Sequence, residues 1–213
     1  MANQKSIPLL EPNLVKSLGL TRLRSLPILE EWLDAQGELS ALDLMLLNNV
    51  RNKLMDNADA WNEEELKMTF ISMVIFITDF NVPISVYYER EISETIHNLF
   101  LKCEADMMLS KGVGELFEAP YFFLHEYKRE KKYSGDPIGQ MLGAMLIAQA
   151  KNNNGKPIYG CYVQGRFWFF SVLIGKTYCI SHSFDATNEQ KCLEIVLILR
   201  KLKAIILEKL MVD

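Results

Sequence analysis

Residues 120–128 read Pro-Tyr-Phe-Phe-Leu-His-Glu-Tyr-Lys, a near-continuous apolar run that ends in a charged pair. A short aromatic run of this kind is the pattern of a core strand rather than of a half-exposed one. Side chains alternate across a strand, so Phe122, Leu124, Glu126 and Lys128 share one face, while Tyr121, Phe123, His125 and Tyr127 share the other. One face is therefore apolar for its first half and charged for its second. A carboxylate and an ammonium at the end of a core strand are costly unless they pair or hold something.

Working outward, Gly112 and Gly114 mark a turn, Asp106 to Leu109 reads as the preceding strand, and Val82 to Tyr88 is rich in β-branched and aromatic residues. Downstream, Asp136-Pro137 starts a helix carrying Met141, Leu142 and Met145, which stops in Asn152-Asn153-Asn154-Gly155. Further strands follow at PIYGCYV, FWFFSVLI and TYCISHS, separated by Gly-containing turns, and Asn188 caps a last apolar helix. The first sixty residues read as helix: Pro27 to Leu33 with Gly37 as its stop, then a helix capped at Ser40. A third helix starts at Trp61-Asn62, with Glu65 placed as in a capping box. The expected fold class is α/β, a mixed central sheet flanked by helices, with an N-terminal helical extension over 1–60 and the main domain over 61–213.

With 213 residues, 49% hydrophobic and 23% charged, the chain is long enough for a sizeable core and excludes disorder. A net charge of −4 supplies no global basic field, so any polyanion must be held locally. The four cysteines form no CxxC pair, which points to reduced structural thiols. The N-terminus lacks the apolar segment of a signal peptide, and Phe70 to Ile77 is too short for a membrane span. The expectation is a cytoplasmic protein with no membrane partner.

Asp106 lies twenty positions before Glu126. If Gly112 and Gly114 turn the chain back, a hairpin brings Asp106 beside Glu126. An Asp and a Glu with a nearby lysine suit a hard divalent cation and the water it activates, because Mg²⁺ takes one or two carboxylates plus waters and phosphate oxygens. The lysine then orients the water or stabilises charge in the transition state. That chemistry is phosphodiester hydrolysis.

Asp106, Glu126-Tyr127-Lys128 and the surrounding order of elements resemble the PD-(D/E)XK nuclease superfamily, the restriction-endonuclease-like fold. The resemblance covers Trp61 to the C-terminus, including the late strands in IYGCYVQGRFWFF, although Ala105 stands where the motif has proline. It implies a magnesium-dependent (or Mn²⁺-dependent) endonuclease or deoxyribonuclease acting on DNA, with Asp106 and Glu126 as metal ligands and Lys128 assisting the attacking water. Gln140, one helix later, resembles a glutamine that some branches place beside the site. For the acidic residue on the first core helix, Glu63 is favoured, since it lies seven residues before Phe70 while Glu65 serves the cap.

The run after Lys128 is either a solvated loop or, through Arg129, Lys131 and Lys132, a local set of phosphate contacts. His97, His125 and His182 show no metal-ligand spacing, and Ser181-His182-Ser183 lacks a nucleophile-elbow context. Gly175-Lys176-Thr177 is a hairpin turn, since Phe170 stands where a phosphate-binding loop needs glycine. The rival to a nuclease is a catalytically inactive module of the same fold that binds or scaffolds. The N-terminal extension either packs on the domain or builds a homodimer interface.

Overall fold

Ile84–Ile96 (β3), rich in β-branched and aromatic residues, and Leu99–Val113 (β4), which mixes Leu, Met, Cys and Ala with polar residues, form a long antiparallel pair. His97 and Asn98 join them with φ of 47° and 68°, the two left-handed positions of a type I′ hairpin turn. β4 then pairs antiparallel with Leu116–Lys128 (β5), with irregular register around Ser110. The computed structural model describes residues 5–113, 116–131 and 135–211, so the expected glycine turn at Gly114 lies outside the described residues.

From β5 the chain crosses through a helix, Pro137–Asn152 (α6), to Ile158–Gln164 (β6), which runs parallel to β5. Asp136 caps α6 by accepting from the Gly139 N–H at 3.0 Å, and Pro137 occupies its first turn. Antiparallel strands Phe167–Ile174 (β7) and Thr177–Ile180 (β8) follow, with the short Phe184–Asp185 (β9) also on β7. A helix capped by Asn188, Glu189–Ile205 (α7), closes the chain and continues into a π-helical turn at Ile206–Leu210. The protein is thus mixed α/β, and its described residues form a nine-stranded mixed sheet covered by helices on both faces. No described helix is long and apolar enough to cross a membrane.

The N-terminal residues are not purely helical. Lys5–Ser6 (β1) runs parallel to β4 at Leu99 and Phe100, and Thr21–Leu23 (β2) runs parallel to β8, so both join the sheet. Between and after them lie Glu11–Leu18 (α1), Pro27–Leu33 (α2) and Ala41–Asn57 (α3). α2 is capped at Asp34 rather than reaching Gly37. The strands around Asp106 are also longer than expected, because Arg90, Glu91, Lys102 and Glu104 interrupt the apolar pattern that marks a buried strand.

Two apolar layers sandwich the sheet. On one face Trp32, Phe70, Val74, Phe123, Tyr127, Trp168, Ile195 and Leu199 pack together. On the other, α1 and α6 supply Leu14, Leu18, Met141, Leu142 and Met145 against Met108, Tyr162 and Tyr178. Gly139 is required where α6 meets the N-terminal segment: a Cβ there would lie 2.4 Å from the Leu9 carbonyl oxygen.

Trp32 ties α2 into the first layer. It is fully buried, its indole N–H donates to the Ile198 carbonyl at 2.9 Å, and its ring meets Phe123, Tyr159 and Phe170 edge-on. Trp32→Ala is expected to cost about 3–5 kcal/mol in urea unfolding; a loss below about 1 kcal/mol would mean that α2 is peripheral.

Candidate functional site

β4 and β5 are paired from Val113 opposite Leu116 to Met107 opposite His125, and there the ladder ends. Beyond it β4 continues with β3, while β5 continues only with β6 as far as Lys128 opposite Gln164. Asp106 is the next residue of β4, and its Oδ2 accepts the Tyr127 backbone N–H at 2.7 Å. A short carboxylate thus takes the place of a main-chain acceptor at the fork and satisfies a backbone donor that the parted strands would leave unpaired.

The same point carries a backbone distortion. Tyr88 pairs with Met107 and Arg90 with Ala105, but Glu89, between them, has φ of 51°. Leu101, Cys103 and Ala105 face α6, whereas Met107 and Leu109 face the opposite layer and Met108 faces α6. β3 slips in the same way, since Tyr87 and Ile92, five residues apart, both face α6. The alternation shifts by one residue at Glu89 and Asp106, the kind of local irregularity that re-aims a side chain beside a site.

Glu126 and Lys128 keep the strand alternation and share a face. Both are buried, with 5% and 9% exposure, and Lys128 Nζ donates to Glu126 Oε1 at 2.7 Å. Glu63, the first residue of a short helix Glu63–Leu66 (α4), places its Oε1 3.9 Å from Lys128 Nζ. Asn62 and Glu65 form the capping box that fixes this helix start. A π-helical turn at Lys67–Ile71 follows, and the helix resumes as Ser72–Thr78 (α5).

Burial and the neighbouring Asp106 carboxylate push Glu126 up to about 7, against the lowering effect of Lys128. Burial likewise raises Asp106, with the Tyr127 N–H and the Lys128 charge pulling the other way. Burial works against the Lys128 charge, but its contact with Glu126 and the nearby Glu63 and Asp106 outweigh that cost and hold it cationic. Asp106, Glu126, Glu63 and Lys128 therefore form one electrostatic cluster.

Lys67 belongs to that cluster and was missed by sequence reasoning. Its Nζ lies 2.7 Å from Glu89 Oε1 and 3.4 Å from Glu64 Oε2, and its charge acts on Asp106. The available signal was its position one helical turn after Glu63 in WNEEELK.

Other expected residues stand differently. Gln140 lies in the first turns of α6 and makes no described hydrogen bond to Glu126 or Lys128; its buried Oε1 has no described partner and faces Gly135. Lys131 pairs with Asp59 at 2.6 Å, and Glu130 with Arg166 at 2.7 Å, so the loop after β5 is partly neutralised. Lys132 lies outside the described residues. His125 is buried against Phe123, Tyr127 and Trp168, neither ring nitrogen has a described partner, and burial pushes it down to about 3. It is a neutral core residue rather than a general base. The cysteines are free, with Cys161, Cys179 and Cys192 buried.

Among the described residues, no group of three or more His, Cys, Asp or Glu side chains is arranged to hold a metal ion. Each of the two hard carboxylates has one oxygen engaged by an N–H donor, and Asp106 Oδ1 and Glu126 Oε2, which have no described partner, are the atoms that could face a cation. That donor set suits Mg²⁺ or Mn²⁺, which keeps several waters and needs only one or two protein carboxylates.

No protein-family model matches the chain, and a comparison with curated proteins finds no match. The functional reading therefore rests on the residues themselves.

The raised Glu126 makes stability depend on pH. The folded form holds the Glu126 proton more tightly than the unfolded chain, whose value is near 4.5, so this group's contribution is full below that value and is lost as pH rises through about 7. In EDTA, urea unfolding between pH 5 and pH 8 should show a fall of about 1–3 kcal/mol that is reduced in Glu126→Gln. Parallel profiles for the two proteins would show that Glu126 is not held protonated by its site.

Proposed function

We propose that the protein is a magnesium-dependent nuclease that hydrolyses phosphodiester bonds in DNA, on a restriction-endonuclease-like core. The observation that carries this reading is the convergence of Asp106 and the Glu126–Lys128 pair at the point where β4 and β5 part. The order helix, three-stranded meander, crossover helix and parallel strand, from α4 to β6, supports the same core.

In this reading Asp106 and Glu126 are the residues that would hold Mg²⁺ or Mn²⁺. A cation there supplies charge neutralisation on the phosphate and a water of lowered pKa. The chain's own groups do the rest. The Tyr127 N–H fixes the Asp106 carboxylate in one orientation, which leaves its second oxygen directed by the backbone rather than by a free rotor. Lys128 stays protonated, so it acts as a hydrogen-bond donor and point charge toward the attacking water or the developing phosphorane charge, not as the base. Glu63, half-exposed and 3.9 Å from Lys128, sits where it can orient that ammonium or accept a proton through water.

A binding or scaffold module without turnover is the second reading. It is favoured by the closed Lys128–Glu126 pair and by the ion-paired Lys131, which weaken ligand access and the local basic patch.

Plasmid and oligonucleotide cleavage with Mg²⁺ or Mn²⁺ separates the two. Wild type should cleave, EDTA should abolish the activity, and Asp106→Asn and Lys128→Met should each lower the rate by about a hundredfold or more with the fold intact by circular dichroism. Equal background in wild type and both variants would sink the catalytic reading and leave the scaffold.

A further inference from the structure

β3 lies on the opposite side of β4 from β1 and β5, and no described strand pairs with its outer edge along its 13 residues. A long open edge presents a row of main-chain donors and acceptors, and natural proteins either guard such an edge or use it for pairing. Beside its first half runs a groove of about 580 Å³ lined by Phe80, Val82, Val86, Tyr88 and Arg90. It shares Phe80, Val86 and Tyr88 with a second groove of about 690 Å³ against α3 and α5. Val82 is 77% exposed, Phe76 70% and Tyr88 39%, so this edge has an unusually apolar border.

The charges on the edge say what could cover it. Glu89, Arg90, Glu91 and Glu94 would repel an arbitrary apolar strand. Arg90 has no described ion-pair partner, and Glu94 is 3.8 Å from Lys151. In a two-fold antiparallel pairing of β3 with itself, the axis passes through one residue facing its own copy. Centred on Arg90, the pairing sets Arg90 against Arg90 and Glu89 against Glu91. Centred on Glu91, it sets Glu91 against Glu91. Centred on Ile92, it sets Arg90 against Glu94 twice, Ile92 against itself and Tyr88 against Ile96. Only this last register turns the edge charges from a guard into cross-strand ion pairs.

We propose that β3 is the interface of a two-fold homodimer, formed by antiparallel β3–β3 pairing centred on Ile92, which joins the two sheets into one. The occupant of the edge is a second copy of this chain. The dimer does not require the Asp106 site to be catalytic, because the fork between β4 and β5 lies on the other side of β4.

The test is sedimentation equilibrium of the full chain over a concentration series, with a 24.5 kDa monomer as the reference. Wild type should dimerise reversibly. Arg90→Glu and Glu94→Arg should each weaken the dimer by about tenfold or more, and the double exchange should restore it. Both positions are half-buried, and a thermal melt verifies that each variant is folded. Hydrogen exchange gives a second readout, since amides of β3 should gain protection as protein concentration rises. A monomer at every concentration, or a dimer indifferent to both single variants, would overturn the proposal; single variants that weaken it without rescue in the double would overturn the Ile92-centred register.

Discussion

The bond from the Tyr127 N–H to Asp106 is the constraint around which the site is organised. Where β4 and β5 part, β5 has a main-chain donor facing a strand that no longer offers it a carbonyl. An aspartate is short enough to reach back and supply the acceptor, and doing so sets its charge where it acts on Glu126. Loss of water raises both Asp106 and Glu126, and repulsion adds to it, from Glu63 at Asp106 and from Asp106 and Glu63 at Glu126. Lys128 offsets part of it. A cation would offset the rest, which is the physical reason for reading the cluster as a metal-dependent site rather than as a closed ion pair.

The fold serves that constraint in several ways. The slip at Glu89 and Asp106 changes which face the strands present, so apolar residues remain buried on both sides while Asp106 stays at the fork. The capping box at Asn62 sets the start of α4 and thereby the position of Glu63. The α6 crossover, anchored by Asp136 to both Gly139 and the Glu11 N–H, holds β6 parallel to β5 and keeps the Glu126–Lys128 end of the strand in the middle of the sheet.

Much of this was legible from the residues. The charged pair Glu126–Lys128 at the end of β5, the spacing to Asp106, and the caps at Ser40, Asn62, Asp136 and Asn188 each carry a local physical rule, and each is seen in the structure. The strict alternation expected from Tyr121 is not, because the register slips near Ser110 and Phe122 joins Phe123 and Tyr127 on one face while Tyr121 faces α6. What was not legible depends on long-range pairing. β1 and β2 are two and three residues long and owe their extended form to β4 and β8, not to their own composition. β3 looked short because Glu89, Arg90 and Glu91 fall on an open edge where burial does not enforce a pattern. Lys67 reads as a solvated helix position until Glu89, on a neighbouring strand, is known to hold it.

The central claim is that Asp106 and Glu126 together hold a divalent cation. Calorimetric titration of Mn²⁺ into the wild-type protein at pH 8 tests it most directly, with Asp106→Asn and Glu126→Gln in parallel. The account predicts a single saturable site in wild type that disappears in each variant. No binding in wild type, or binding that survives both substitutions, would contradict it.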